Sequence, residues 1–129
     1  MRLLLVDLDV KLLDVLQSNL SFLGYTVDVC DSGAVAMGLM EKSLYTVVLA
    51  GDELSDMSGV ELVRKVRSGA RTHGQYLILM PREGGRGFEG ELARPDAVMV
   101  KPFSMSDVIA ALLTAERRMF EMPVSAVAA

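Results

Sequence analysis

Asp7, Asp52 and Lys101 each stand at or just beyond the end of a short apolar run of the sequence. If the three runs are parallel strands of one sheet, these side chains meet at the carboxyl edge, where open α/β sheets carry their functional groups. Carboxylates bind hard cations, and a lysine ammonium binds an anion or pairs with a carboxylate. The chemistry open to this set is therefore cation binding, anion binding or a structural ion pair.

Five apolar runs, all too short to be helices, are spaced along the chain. Several are apolar at consecutive positions, as expected of strands that are covered on both faces. The runs are Leu3–Val6, Thr26–Cys30, Tyr45–Ala50, Tyr76–Met80 and Ala97–Val100.

Four other segments carry apolar residues three or four positions apart, which predicts helices with one apolar face. These stripes cover Leu12–Leu23, Val35–Met40, Val60–Val66 and Met105–Leu113. Gly24 suits a helix C-cap after the first stripe, and Ser104 with Asp107 resembles a capping box before the last. The alternation predicts an α/β fold of five βα repeats, with a parallel sheet and helices on both of its faces.

The segment after the fourth run is rich in glycine, with Gly84, Gly85, Gly87 and Gly90. Glycine costs about 1 kcal/mol relative to alanine in a helix interior. We therefore expect a long loop there, with at most a short helix near Glu89–Ala93. The glycines do not match the nucleotide-binding motifs.

Length and composition indicate one globular domain. The 129 residues are 51% apolar and 23% charged, which supports a core and excludes a disordered chain. The net charge of −4 argues against direct nucleic-acid binding, and no apolar run approaches the roughly 18 residues of a membrane span. The single cysteine favours a reducing cytoplasm. We expect a cytoplasmic domain over residues 1–120, followed by a tail or the start of a linker over 121–129.

Four segments, in this order, resemble the receiver domain of bacterial response regulators such as the chemotaxis regulators. They are LLVDLD at Leu4–Asp9, GYTV at Gly24–Val27, MSGVEL at Met57–Leu62 and VKPF at Val100–Phe103. No single segment is specific to this family, but the order of the four segments over the βα repeats is specific. The resemblance covers roughly Arg2 to Arg118. It implies a doubly wound, flavodoxin-like three-layer sandwich with sheet order 2-1-3-4-5, and a role in two-component phosphorelay signalling.

The resemblance also implies a chemistry. Members of the family take a phosphoryl group onto an aspartate at the end of the third strand. Two acidic residues after the first strand hold Mg²⁺, which prefers hard oxygen ligands. A Thr or Ser at the end of the fourth strand and a Lys after the fifth stabilise the phosphoryl oxygens.

Carried over residue by residue, most of this machinery is missing. Gly51 stands at the acceptor position and has no nucleophile, Leu8 replaces the second metal ligand, and Met80 replaces the hydroxyl donor. Val98 stands where the family often has an aromatic residue that moves upon phosphorylation. The degenerate site comprises Asp7, Leu8, Gly51, Met80, Val98, Lys101 and Pro102.

We interpret the chain as a pseudo-receiver, a signalling domain rather than an enzyme, that works without the phosphorylation switch. No cofactor is expected, and Mg²⁺ should bind weakly or not at all, because Asp7 is the one carboxylate of the family's metal site that is kept. Lys101 should instead approach Asp7 and form an ion pair over the Gly51 position.

Two alternatives remain open. Asp52 could replace the missing acceptor and use Mg²⁺, although alternation along a strand should point it away from the side of Gly51 unless a bulge intervenes. Alternatively, the pocket left by the lost side chains could bind a small ligand and act as a sensor.

The predicted mode of action is contact with a protein partner or a fused output domain, with a homodimer as a further option. The predicted surface is the face of the fifth strand and the last helix. Phe88 and Leu92, in the glycine-rich segment, are the apolar residues predicted to contact a partner.

Overall fold

A computed structural model describes residues 1–69, 74–84 and 94–120 of the chain. In this part of the chain five parallel strands form one sheet in the order β2-β1-β3-β4-β5. The strands are β1 (Arg2–Val6), β2 (Thr26–Cys30), β3 (Val47–Gly51), β4 (Tyr76–Met80) and β5 (Ala97–Val98). The predicted fold class and strand order are confirmed.

Helices cover both faces of the sheet. The described ranges contain α1 (Val10–Phe22), α2 (Gly33–Lys42), α3 (Gly59–Ser68) and α4 (Met105–Phe120). The short helix predicted near Glu89–Ala93 and the tail over 121–129 lie outside the described residues, so both stay predictions.

The strands are apolar on both faces because each face packs against helices. In β1, Leu3 and Leu5 belong to the core cluster that includes α1 and α4, whereas Leu4 and Val6 belong to the cluster that includes α2 and α3. All four side chains are fully buried. Burial of one such side chain stabilises the fold by about 1.5–3 kcal/mol.

Local sequence signals set the helix ends. The Asp9 carboxylate caps α1 by accepting a hydrogen bond from Leu12 N at 3.1 Å, and Gly24 takes a φ of +99° just after this helix. The capping box predicted before α4 is present. Ser104 N donates to Asp107 Oδ2 at 2.9 Å, and Asp107 N donates to Ser104 Oγ at 3.1 Å.

The third and fifth strands differ from their predicted bounds. Tyr45 precedes β3, and its hydroxyl donates to Asp28 Oδ2 at 2.6 Å. Burial and this hydrogen bond raise the pKa of Tyr45 to about 12. β5 is only two residues long. Beyond it, Lys101 N still donates to Pro81 O at 2.8 Å, so the backbone pairing with the segment after β4 continues to Lys101.

Arg67, near the end of α3, joins this helix to the beginning of β4 and to the segment entering β5. Its guanidinium donates to Arg94 O at 3.2 Å, Gln75 O at 3.1 Å and Asp96 Oδ2 at 2.6 Å. The same Asp96 oxygen accepts a hydrogen bond from Leu77 N at 2.8 Å. One partly buried ion pair and the hydrogen bonds around it thus hold three backbone segments together.

Among the residues that the structure describes, no helix combines the length and apolar character that a bilayer span requires.

Candidate functional site

The sheet order brings the predicted site residues to one edge. Asp7 directly follows β1, and Gly51 is the last residue of the adjacent strand β3. Gly51 pairs in register with Met80, the last residue of β4. Lys101 lies three positions beyond β5 and is bridged to Arg82. The carboxyl edge therefore holds the residues that the sequence placed there.

The predicted ion pair between Lys101 and Asp7 is present. Lys101 Nζ lies 2.7 Å from Asp7 Oδ2, with side-chain exposures of 19% and 3% respectively. Asp7 Oδ1 accepts a hydrogen bond from Asp9 N at 2.9 Å. Oδ2 has no hydrogen bond of favourable angle within the described part of the chain, so its contact with the ammonium is an electrostatic pair.

Gly51 makes this pair possible. A β-carbon at residue 51 would overlap Asp7 Oδ2 and would lie 2.8 Å from Asp7 Cγ. The Asp7 carboxylate thus occupies the space into which an acceptor side chain would project. Asp7 therefore fills the space next to Gly51, while a cavity of about 290 Å³ remains beside the pair, so the small-ligand alternative stays a prediction.

Gly59, at the start of α3, is required by a second close approach. A β-carbon there would overlap the carbonyl oxygen of Gly51 and would lie 3.0 Å from Leu79 Cδ1. Gly59 N donates to Asp52 O at 2.9 Å, which holds the beginning of α3 against the end of β3. This packing explains the glycine in the MSGVEL segment.

Asp52 lies closer to the site than alternation along the strand predicts. It is the first residue beyond β3 and lines the same cavity of about 290 Å³ as Asp7 and Lys101. Its carboxylate is already engaged, since Oδ2 accepts from Arg82 Nε at 3.1 Å and from Arg82 N at 3.3 Å. The Asp52 side chain is only 7% exposed beneath this arginine.

The remaining positions of the degenerate site supply no oxygen ligand or hydroxyl. Met80 is fully buried, and Leu8 and Val98 are 43% and 49% exposed. Pro102 follows a cis peptide bond.

The Mg²⁺ that the family resemblance implies does not fit this donor set. Asp7 Oδ2 is paired with Lys101, and the positions of Leu8 and Gly51 offer no side-chain oxygen. In the described ranges no group of three His, Cys, Asp or Glu side chains is arranged to hold a metal ion.

Two residues near the site were missed by the sequence analysis. Arg82 joins the ends of β3 and β4, and its second contact is to Glu53 Oε2 at 3.5 Å. Asp56, in the loop after β3, accepts hydrogen bonds from Gly33 N at 2.7 Å and Ala34 N at 2.9 Å. These backbone donors lower the pKa of Asp56. A carboxylate is favourable at a helix N-terminus, which is a general signal for a residue such as Asp56. The sequence alone did not assign Asp56 to the start of α2, because Asp56 is 23 positions from Gly33.

Phe88 and Leu92, the residues predicted to contact a partner, lie outside the described residues.

The fold and site invite comparison with known proteins. Chemotaxis protein CheY1 of Helicobacter pylori is 33% identical over 109 residues, which cover 81% of this chain and 87% of that protein. A response regulator receiver domain protein (CheY-like) from Methanospirillum hungatei has a solved structure that superposes with a TM-score of 0.82 at 25% identity, over 92% of this chain and 94% of that one. No family model matches the chain. The chain belongs to the response regulator receiver (CheY-like) family, whose members are signalling domains of two-component systems.

Longer relatives match over the same region. Transcriptional regulatory protein TrcR of Mycobacterium tuberculosis is 30% identical over 118 residues, covering 91% of this chain and 46% of that protein. Transcriptional regulatory protein CusR of Escherichia coli is 28% identical over 120 residues, covering 92% of this chain and 52% of that protein. The chain spans about half the length of these relatives.

Proposed function

We propose that this receiver domain signals by contact with a protein partner or an attached output domain, without being switched by phosphorylation. The observation that carries the proposal is the position of the Asp7 carboxylate. It fills the space next to Gly51 and lies 2.7 Å from Lys101, the residue that would otherwise stabilise a phosphoryl group.

Three features of this edge argue against phosphorylation. Gly51 offers no nucleophile, and a metal would lack the oxygens that Leu8 and Gly51 fail to supply. An incoming phosphoryl group would also have to compete with the buried Asp7 carboxylate for the Lys101 ammonium.

Asp52 is the alternative acceptor, and its contacts argue against this role. Its carboxylate oxygen is covered by the Arg82 guanidinium and backbone N–H, and the side chain is almost fully buried. A phosphoryl donor could reach it only after this contact had opened.

Exposure to acetyl phosphate with Mg²⁺ tests both possibilities. We expect no phosphorylated species by intact-protein mass spectrometry, for the wild type or for Asp52→Asn. Phosphorylation of the wild type that is lost in Asp52→Asn, but kept in the neighbouring control Glu53→Gln, would overturn the proposal in favour of the Asp52 acceptor.

The partner surface is proposed on β5 and α4. Val98 in β5 and Val100 just beyond it are 49% and 51% exposed, and Ile109 and Leu113 are 37% and 50% exposed on the helix. An apolar surface that is rimmed by polar residues is typical of a protein-binding site. Its partner could be a separate protein, an attached domain of the kind found in transcriptional regulators, or a second copy of this chain.

Light scattering and partner capture test this surface. We expect the same assembly state with and without beryllofluoride and Mg²⁺, a mimic of the phosphoryl group. Leu113→Asp should weaken partner or self-association, whereas Val15→Asp, equally exposed on α1, should not. An assembly that changes with beryllofluoride would contradict a switch-free domain, and equal effects of both variants would contradict the surface.

A further inference from the structure

We propose that an apolar hollow beside the Asp7–Lys101 pair binds small organic cations, namely primary amines with an apolar body. The hollow has a volume of about 420 Å³ and lies between the beginning of α1 and the segment that joins β5 to α4. It is separate from the space next to Gly51, which Asp7 fills. The proposal goes beyond the partner-binding function and does not depend on it.

The walls of the hollow are apolar and held in place. Leu12, Pro102 and Phe103 line it, and Leu12 and Phe103 are half-buried and pack against the core. The volume falls within the roughly 300–1,000 Å³ of small-molecule sites, which are mostly apolar with a few polar groups. Phe103 is also aromatic, and aromatic rings attract cations.

Both cations at the rim are already neutralised. Lys101 pairs with Asp7 at 2.7 Å, and Arg82 pairs with Asp52 at 3.1 Å and with Glu53 at 3.5 Å. An anionic ligand would have to break one of these ion pairs before it could form an ion pair with Lys101 or Arg82. The rim is therefore poorly suited to organic anions and to phosphate esters.

Two carboxylates at the rim carry free negative charge. Asp9 and Glu83 line the hollow, and neither forms an ion pair with any residue that the structure describes. Asp9 Oδ1 accepts the capping hydrogen bond from Leu12 N at 3.1 Å, and within the described residues this carboxylate has no cationic side chain as a partner. A ligand ammonium would supply the missing positive charge and several N–H donors.

A metal ion is a less suitable occupant than an organic ammonium. The described residues contain no group of three side chains that could ligate a metal, and hard cations need several oxygen ligands. An ammonium needs one or two carboxylates, and the apolar walls would contact the body of the ligand.

Titration of the full chain with phenethylammonium chloride tests the proposal. We expect saturable binding by calorimetry, with a dissociation constant below about 5 mM, and amide shifts in NMR spectra at Leu12 and Phe103. The matched probes phenylacetate and 2-phenylethanol should bind at least about tenfold more weakly, because they lack the ammonium.

Variants locate the site. Glu83→Gln and Asp9→Asn should each weaken amine binding by about fivefold, the effect of losing one nearby charge. Asparagine keeps the N-cap of α1, and Glu83 is exposed, so both variants should fold. Glu41→Gln, the same change at an exposed position of α2, should have no effect.

Three results would overturn the proposal. They are absence of saturable amine binding, equal binding of phenylacetate, and unchanged affinity in both Glu83→Gln and Asp9→Asn. None of these results bears on phosphorylation or on partner contact, so this site can fail without affecting the proposed function.

Discussion

The Asp7 carboxylate lies against Gly51, in the space that a β-carbon of residue 51 would take. This carboxylate, which comes from the end of β1, is also the counter-ion of Lys101. The missing side chain on β3 and the ion pair between the other two residues are therefore one structural feature. Asp7 thus joins the ends of β1 and β3 to the segment after β5.

The close approach at Gly51 predicts that Gly51→Ala destabilises the domain. The added methyl group would overlap Asp7 Oδ2, and relieving such overpacking in a buried site costs about 1–3 kcal/mol. Urea unfolding followed by circular dichroism measures the change. Gly38→Ala in α2 is the control, because a β-carbon there meets nothing within 4 Å. It should stabilise the helix by about 0.5–1 kcal/mol. An equal gain from both alanines would show that Asp7 does not occupy this space.

The ion pair predicts that substitutions of Asp7 and Lys101 lower the free energy of unfolding non-additively. Lys101→Met should destabilise by about 2–3 kcal/mol, because it leaves the buried Asp7 charge unpaired; the partial exposure of Lys101 reduces the figure. In the background Asp7→Asn, the same Lys101→Met change should cost less than about 1 kcal/mol. A thermodynamic cycle from urea unfolding measures the coupling. Equal costs in both backgrounds would indicate that the two groups do not interact.

The three-segment contact of Arg67 predicts a large effect at this position. Arg67→Ala removes hydrogen bonds to Arg94 O and Gln75 O and the ion pair with Asp96. We expect a loss of about 2–3 kcal/mol in the free energy of unfolding. Arg64→Ala, at an exposed position of the same helix, should change it by less than about 0.5 kcal/mol. Similar small changes in both would contradict a structural role for Arg67.

The hydrogen bonds of Asp56 predict that the stability of the domain depends on pH in the acid range. Hydrogen bonds from Ala34 N and Gly33 N lower the pKa of Asp56 below its ordinary value of 3.8. The charged form is therefore favoured in the folded state, and its contribution to stability is present above this value and is lost as the pH falls through the folded pKa.

Comparison of Asp56→Asn with the wild type checks this sign. The variant should be less stable at about pH 6, and the difference should narrow towards about pH 2 as the wild-type carboxylate is protonated. Asp14→Asn, on the exposed side of α1, should stay within about 0.5 kcal/mol of the wild type throughout. A difference for Asp56→Asn that widened in acid would contradict the assigned hydrogen bonds.

Most of the fold and part of the site could be predicted from the sequence, because both depend on local pattern. Apolar runs such as Tyr76–Met80 identify strands, and Ser104 with Asp107 identifies the beginning of α4. Comparison of positions with the receiver family predicted that Gly51, Leu8 and Met80 replace its acceptor, its second metal ligand and its hydroxyl donor. The pairing of Asp7 with Lys101 followed from their shared sheet edge and opposite charges.

The contacts of Arg67, Arg82 and Asp56 could not be predicted in the same way. The sequence places Arg67 at a helix end, where any cation is favourable, and its partner Asp96 lies 29 positions away. Asp52 was expected to point away from the site, but it lies beyond β3 and its carboxylate binds Arg82. Each contact joins segments that are distant in the chain.

The periodicity of the sequence by itself determined the α/β class. The resemblance to the receiver family implied the sheet order and the replacement of the acceptor, the metal ligand and the hydroxyl. Both can be read from the sequence without knowing any distance. Only the tertiary structure decided what replaced the lost side chains. Asp7 fills the space beside Gly51, and Arg82 covers Asp52, because side-chain volumes and charges meet only after the strands and loops have packed.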